Sequence, residues 1–91
     1  MPVRVLVVDD SVVSRMIVAE AVASDPELEL AGTAVDGRAA LERIAELHPD
    51  VVVLDVEMPV MDGLEALKSL RAKDRRLPVV MLSSLTSKGA S

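Results

Sequence analysis

Asp9, Asp10, Asp55 and Ser83 are the residues of this 91-residue chain whose types and placement could do chemistry. Each comes at the end of a nearly uninterrupted apolar run: Val5-Leu6-Val7-Val8 before Asp9-Asp10, Val51-Val52-Val53-Leu54 before Asp55, and Val79-Val80-Met81-Leu82 before Ser83. Carboxylates brought close together repel. At ~5 Å and an effective dielectric of ~20, each pair costs about 3 kcal/mol, against a net stability of about 5–15 kcal/mol for a small domain. Proton uptake, a cationic side chain or a metal ion must offset that. An oxygen-only donor set, beside a loop that can add backbone carbonyls, suits a hard ion such as Mg²⁺. Cysteine is absent, and the single histidine, His48, precedes Pro49 at a helix end, so nothing favours zinc. A carboxylate beside such an ion can attack phosphorus and form an acyl phosphate.

The apolar run Val51-Val52-Val53-Leu54, three of its residues β-branched, reads as a strand buried on both faces, as in parallel sheets, and it is one of four strands. The first covers Val3 to Val8, the second Leu28 to Ala34, the third Val51 to Asp55 and the fourth Val79 to Leu82. Glu29 and Thr33 give the second strand a more polar face, suited to a sheet edge. Helices alternate with the strands. Val13, Met16, Ile17 and Ala21 recur at helical spacing after Ser11, a candidate cap shared with Asp10, and Asp25-Pro26 stops that helix. Asp36-Gly37 reads as a turn. Leu41, Ile44, Ala45 and Leu47 mark the next helix, which ends at His48-Pro49, where His48 meets the helix dipole. Asp62 reads as the cap of a third helix, running from Gly63 to about Lys73 with Leu64, Leu67 and Leu70 on one side. The Arg71, Lys73, Arg75 and Arg76 cluster reads as stabilising that helix end.

A β-α-β-α-β-α-β pattern means an α/β domain with a doubly wound parallel sheet and helices on both faces. Crossovers are right-handed, so covering both faces requires the strand order to reverse once, which gives 2-1-3-4. Strands one and three are then neighbours, and the crevice opens between their C-terminal ends. Topology therefore gathers Asp9, Asp10 and Asp55, with Ser83 one strand away.

The bulk composition narrows the function. Hydrophobic residues make up 51% of the chain, which excludes a disordered protein. Aromatic residues are absent, so there is no platform for stacking bases. The net charge of −5 argues against nucleic-acid binding by this chain. The first apolar run is too short for a signal peptide or a membrane span, so a cytoplasmic location is expected.

Three strings carry a resemblance: Val-Val-Asp-Asp-Ser, Leu-Asp-Val-Glu-Met-Pro-Val-Met-Asp-Gly-Leu, and Pro-Val-Val-Met-Leu-Ser-Ser. In order and spacing they resemble the motif regions of two-component response-regulator receiver domains, whose fold is flavodoxin-like. The strings Asp-Val-Glu-Met-Pro and Ser-Ser-Leu-Thr-Ser-Lys-Gly look most like the receiver half of chemotaxis protein-glutamate methylesterases. The resemblance implies that Asp55 accepts a phosphoryl group from a histidine kinase. It implies that Asp10, Asp55 and the backbone carbonyl of Glu57 bind Mg²⁺, and that Asp9 holds the metal's waters. It implies further that Ser83 hydrogen-bonds the phosphoryl group and that the Met58-Pro59 loop shapes the metal site.

Receivers continue with a helix, a fifth strand bearing a lysine, and a last helix. Residues 1–91 thus read as a receiver domain truncated at its C-terminal side, with Lys88 too early to replace that lysine. The output domain, expected to be a methylesterase, would lie outside this chain, which has no Gly-x-Ser-x-Gly elbow. Strand four is left as an open edge able to pair with a second chain. Two other functions compete. An aspartyl-phosphate hydrolase of the haloacid dehalogenase type wants Asp-x-Asp after its first strand, where this chain has Asp9-Asp10. A docking module that is never phosphorylated would not need the full acidic set. A dinucleotide binder is disfavoured because no Gly-x-Gly-x-x-Gly follows any strand.

Overall fold

The computed structural model describes residues 2–55, 63–74 and 76–82. The elements run β1 (Val3–Val8), α1 (Val12–Ala23), β2 (Leu28–Ala34), α2 (Gly37–Leu47), β3 (Val51–Asp55), α3 (Gly63–Lys73) and β4 (Val79–Leu82). The four strands form one sheet in the order β2-β1-β3-β4, and every pairing is parallel. The doubly wound 2-1-3-4 architecture expected from the sequence is the one observed.

β1 buries both faces from Val5 to Val8, whereas β3, expected to do the same, buries Val52 and Leu54 and leaves Val51 and Val53 half-buried on its other face. Leu6, Val8, Val52 and Leu54 point to one side, where Ala40 of α2 and Ala66 and Leu70 of α3 complete a cluster with Ala34 and Leu77. Val5 and Val7 point to the other side, against Val22 of α1. Leu6, Val7, Val8 and Val52 have lost essentially all contact with solvent. Each such side chain contributes about 1.5–3 kcal/mol. This burial fixes where the strands end, and so where the acidic residues emerge.

Helix α1 departs from the expected face. Val13, Met16, Ile17 and Ala21 do recur at helical spacing, but all four are exposed. The stripe turned toward the sheet is Arg15, Val18, Ala19 and Val22. The helix is apolar on two sides, so periodicity alone admits both faces. The face that packs is the one whose Val18 and Val22 meet Val5 and Val7 of the sheet.

Strand β2 departs in its register. Val5 pairs with Leu30 but Leu6 pairs with Gly32, so Ala31 is an extra residue, a bulge in the β1–β2 ladder. Leu28 and Leu30 therefore pack on the α1 side, whereas Ala34 joins the cluster under α2 and α3. Glu29 and Thr33, both exposed, lie on opposite faces rather than on one polar face. Gly32 sits where a Cβ would come within 2.7 Å of Leu47 Cδ1, so a hydrogen there lets α2 close on the sheet.

Helix α2 is capped at both ends. Asp36 is not merely part of a turn: its carboxylate accepts from the Ala39 N–H at 2.8 Å and caps the helix. His48 ends it in the left-handed region, with φ of 48°, and its N–H donates to the Ile44 carbonyl at 3.0 Å. Ala45 is exposed, while Ala40, Leu41, Ile44 and Leu47 make the packing face. After α3, Asp74 accepts from the N–H groups of Arg76 and Leu77, and Arg71 donates to the Asp74 carbonyl at 3.3 Å. Of the basic cluster, the Arg71 side chain bears on that helix end, Arg76 takes part through its backbone N–H, and Arg75 lies outside the described residues.

Candidate functional site

β1 delivers Asp9 and Asp10 to the C-terminal edge of the sheet, and β3 delivers Asp55 beside them. The register aligns Val8 with Leu54, so the next residues of the two strands emerge at the same level. Asp9 is 9% exposed, Asp10 is exposed and Asp55 is half-buried.

Asp9 is fixed at three points. Its N–H donates to the Ala34 carbonyl at 3.1 Å, extending the β1–β2 ladder by one bond. Its Oδ1 accepts from the Ser11 N–H at 2.9 Å, which turns the chain out of the strand. Its carbonyl accepts from Arg15 Nη1 at 2.8 Å. Ser11 then caps α1, its side chain accepting from the Ser14 N–H at 3.3 Å. Of the two candidate caps, Asp10 and Ser11, the serine takes the role and the Asp10 side chain is left to the crevice.

One carboxylate oxygen from each of Asp9, Asp10 and Asp55 lies within 4.8 Å of the others. At that separation each ionised pair repels by about 1 kcal/mol in a water-like medium and by about 3 kcal/mol at a dielectric of ~20. The donor set is oxygen only and combines a buried, a half-buried and an exposed carboxylate. Such a set fits a hard cation that keeps part of its hydration shell, a class that includes Mg²⁺, Ca²⁺ and Mn²⁺. Among the described residues no histidine or cysteine joins the group.

Of the other residues singled out in the sequence, Glu57, Met58, Pro59, Asp62, Ser83 and Lys88 lie outside the described residues. Arg15 was not anticipated. Its signal was present, since it is the one basic residue in an otherwise apolar or small run from Ser11 to Ala19.

A four-stranded parallel sheet with an acidic triad across its switch point is the arrangement of a receiver. The family model of the response regulator receiver domain matches residues 5–90, and the chain belongs to that family. Among curated proteins it is similar to the protein-glutamate methylesterase/protein-glutamine glutaminase of Nocardioides sp., 52% identical over 97% of this chain. The corresponding protein of Geobacillus kaustophilus is 54% identical, also over 97%. The chain spans only 24% and 25% of those two proteins. Among solved structures it is similar to the response regulator domain of Thermotoga maritima CheB, at 44% identity and a TM-score of 0.85, covering 98% of this chain and 66% of that one. It is also similar to the CheX-CheY-BeF3-Mg²⁺ complex of Borrelia burgdorferi, at 32% identity and a TM-score of 0.86, covering 99% and 68%.

Proposed function

We propose that the chain is the phosphoacceptor switch of a two-component chemotaxis system. The observation that carries this reading is the meeting of Asp9, Asp10 and Asp55 within 4.8 Å at the switch point of the sheet. Asp10, Asp55 and the carbonyl of Glu57 would hold Mg²⁺ directly, with Asp9 acting through water. Bound there, the ion supplies positive charge that offsets the carboxylate repulsion and the charge of the incoming phosphoryl group. An Asp55 oxygen attacks the phosphorus of a phosphohistidine on a kinase. The O–P bond forms, the P–N bond breaks, and the electron pair and a proton end on the imidazole. Ser83 would then hydrogen-bond the new phosphoryl oxygens.

The relatives support the rest of the reading. The methylesterase names suggest an output domain of that activity in the parent protein, controlled by this switch. The CheY complex is named with Mg²⁺ and BeF3, a hard cation and a phosphoryl-like anion, which is the chemistry proposed for this site. No helix among the described residues is long and apolar enough to cross a membrane. We place the protein in the cytoplasm, where a kinase would have ATP from which to form its phosphohistidine.

Incubation of a longer chain that carries the fifth-strand lysine, with a small phosphodonor and Mg²⁺, tests the switch. The expected result is a labile mass gain of one phosphoryl group that Asp55→Asn abolishes. Continuous release of phosphate without accumulation would favour the hydrolase, and no reaction would favour a docking module. We also propose that β4 can pair with a second copy, since Val80 and Leu82 are exposed on it and it lies at the sheet's edge among the described residues. Sedimentation that stays monomeric at all concentrations would remove that proposal.

A further inference from the structure

We propose that Arg15 is a positioning residue of the metal site: through the Asp9 carbonyl it sets the peptide plane that carries Asp10. The inference rests on the Mg²⁺ reading above.

Arg15 occupies the inward stripe of α1, where its companions Val18, Ala19 and Val22 are apolar or small. An arginine at such a place has to find a partner for its charge. It is half-buried, and Nη1 donates to the Asp9 carbonyl at 2.8 Å, within the range of a good charge-assisted bond. The carbonyl of Asp9 and the N–H of Asp10 belong to one rigid peptide unit. Holding the oxygen therefore fixes the direction in which the Asp10 backbone leaves the strand. The other groups of Asp9 are already held, by Ala34 and by Ser11. Arg15 supplies the remaining constraint, the one that bears on the exposed ligand.

Two effects of Arg15 oppose each other, and their signs differ. As a bare charge, a guanidinium beside an acidic cluster competes with Mg²⁺, so removing it should tighten metal binding. As a positioning group, it keeps Asp10 where an ion with strict octahedral demands needs it, so removing it should loosen binding. Groups that orient metal ligands from behind typically alter affinity by about tenfold or more.

The test is a Mg²⁺ titration followed by backbone amide shifts of residues 8–11 and 55, in wild type, Arg15→Met and Arg15→Lys, with Asp10→Asn as the reference without a complete site. Methionine keeps the apolar stem and removes both donor and charge. Lysine keeps a charged donor of similar reach. The metal-free ¹³C shift of the Asp9 carbonyl reports the hydrogen bond independently of any metal. The expected result is an Asp9 carbonyl shift in Arg15→Met, Mg²⁺ binding weaker by about tenfold, and recovery of most of that loss in Arg15→Lys. Binding in Arg15→Met that equals or exceeds wild type would overturn the proposal. So would a lysine variant no better than the methionine one. If Arg15→Met does not fold, the carbonyl shift and affinity of Arg15→Lys decide: both near wild type support the proposal, and a wild-type carbonyl shift with lost affinity overturns it. A wild-type protein whose amides ignore Mg²⁺ would defeat the metal-site reading itself.

Discussion

Arg4 Nη1 lies 2.6 Å from the backbone carbonyl oxygen of Leu47, and this bond ties the beginning of β1 to the last turn of α2. The same guanidinium donates to the His48 carbonyl at 3.3 Å, and its Nε lies 3.4 Å from a Glu29 carboxylate oxygen. The Arg4 N–H and carbonyl are both engaged by Asp50, at 2.9 and 2.8 Å. A cation on the orphan carbonyls at a helix C-terminus satisfies them and also favours the helix dipole. Arg4→Met is expected to cost about 1–3 kcal/mol in urea denaturation. Glu29→Gln is expected to cost under about 1 kcal/mol, because that ion pair faces solvent. Both should leave Mg²⁺ affinity unchanged, since Arg4 lies at the end of the sheet remote from Asp9.

The acidic cluster is expected to destabilise the metal-free protein. Asp10→Asn removes two pairs, those with Asp9 and Asp55, and should raise stability in EDTA by about 2 kcal/mol, the water-like end of the Coulomb range, because Asp10 is exposed. In wild type, Mg²⁺ should raise the melting temperature progressively with concentration, as any ligand of the native state does. That gain should vanish in Asp10→Asn. Thermal melts with and without Mg²⁺ measure both.

Gly32 and Leu47 should behave as a coupled pair. The atom that a Cβ at 32 would meet, at 2.7 Å, is the end of a leucine side chain, which can rotate aside. Gly32→Ala alone should therefore cost no more than about 1–2 kcal/mol. In a Leu47→Ala background the same change should be neutral or stabilising, because alanine also restricts the unfolded chain. A double-mutant cycle gives the coupling, expected at about 1 kcal/mol.

The cap of α2 gives a fourth expectation. Asp36→Ala should lose about 1 kcal/mol and Asp36→Gly only a few tenths. Comparison of urea midpoints for the two variants checks it.

Strands β1, β3 and β4 were legible because their apolar runs are rich in β-branched residues and each stops at a polar residue; β2, with Glu29 and Thr33 and with Val35 after it, was legible from its place between two helices. The sheet order followed from topology, and the order in turn placed Asp9, Asp10 and Asp55 together. The buried face of α1 was not legible, since Val12, Val13, Met16 and Ile17 form as apolar a surface as the stripe that packs, yet all four are exposed. Asp36 was seen only as half of an Asp-Gly turn, because the same pair serves equally to start a helix. Gly32, inside a strand, was a signal of a bulge or close approach that went unused. Arg4 and Arg15 were overlooked for a shared reason. Each stands in an apolar run and bonds to backbone carbonyls, and a carbonyl partner leaves no trace in the residue types.

The extra residue in β2 makes that strand two half-ribbons joined by an inversion, one serving each layer of the molecule. Deleting Ala31 would therefore not merely shorten an edge. Either Leu28 and Leu30 would trade sides with Glu29, or Ala34 would leave the layer beneath α2 and take its carbonyl from the Asp9 amide. In the second case a single-codon loss far from the acidic cluster would reach it through the weave of the sheet.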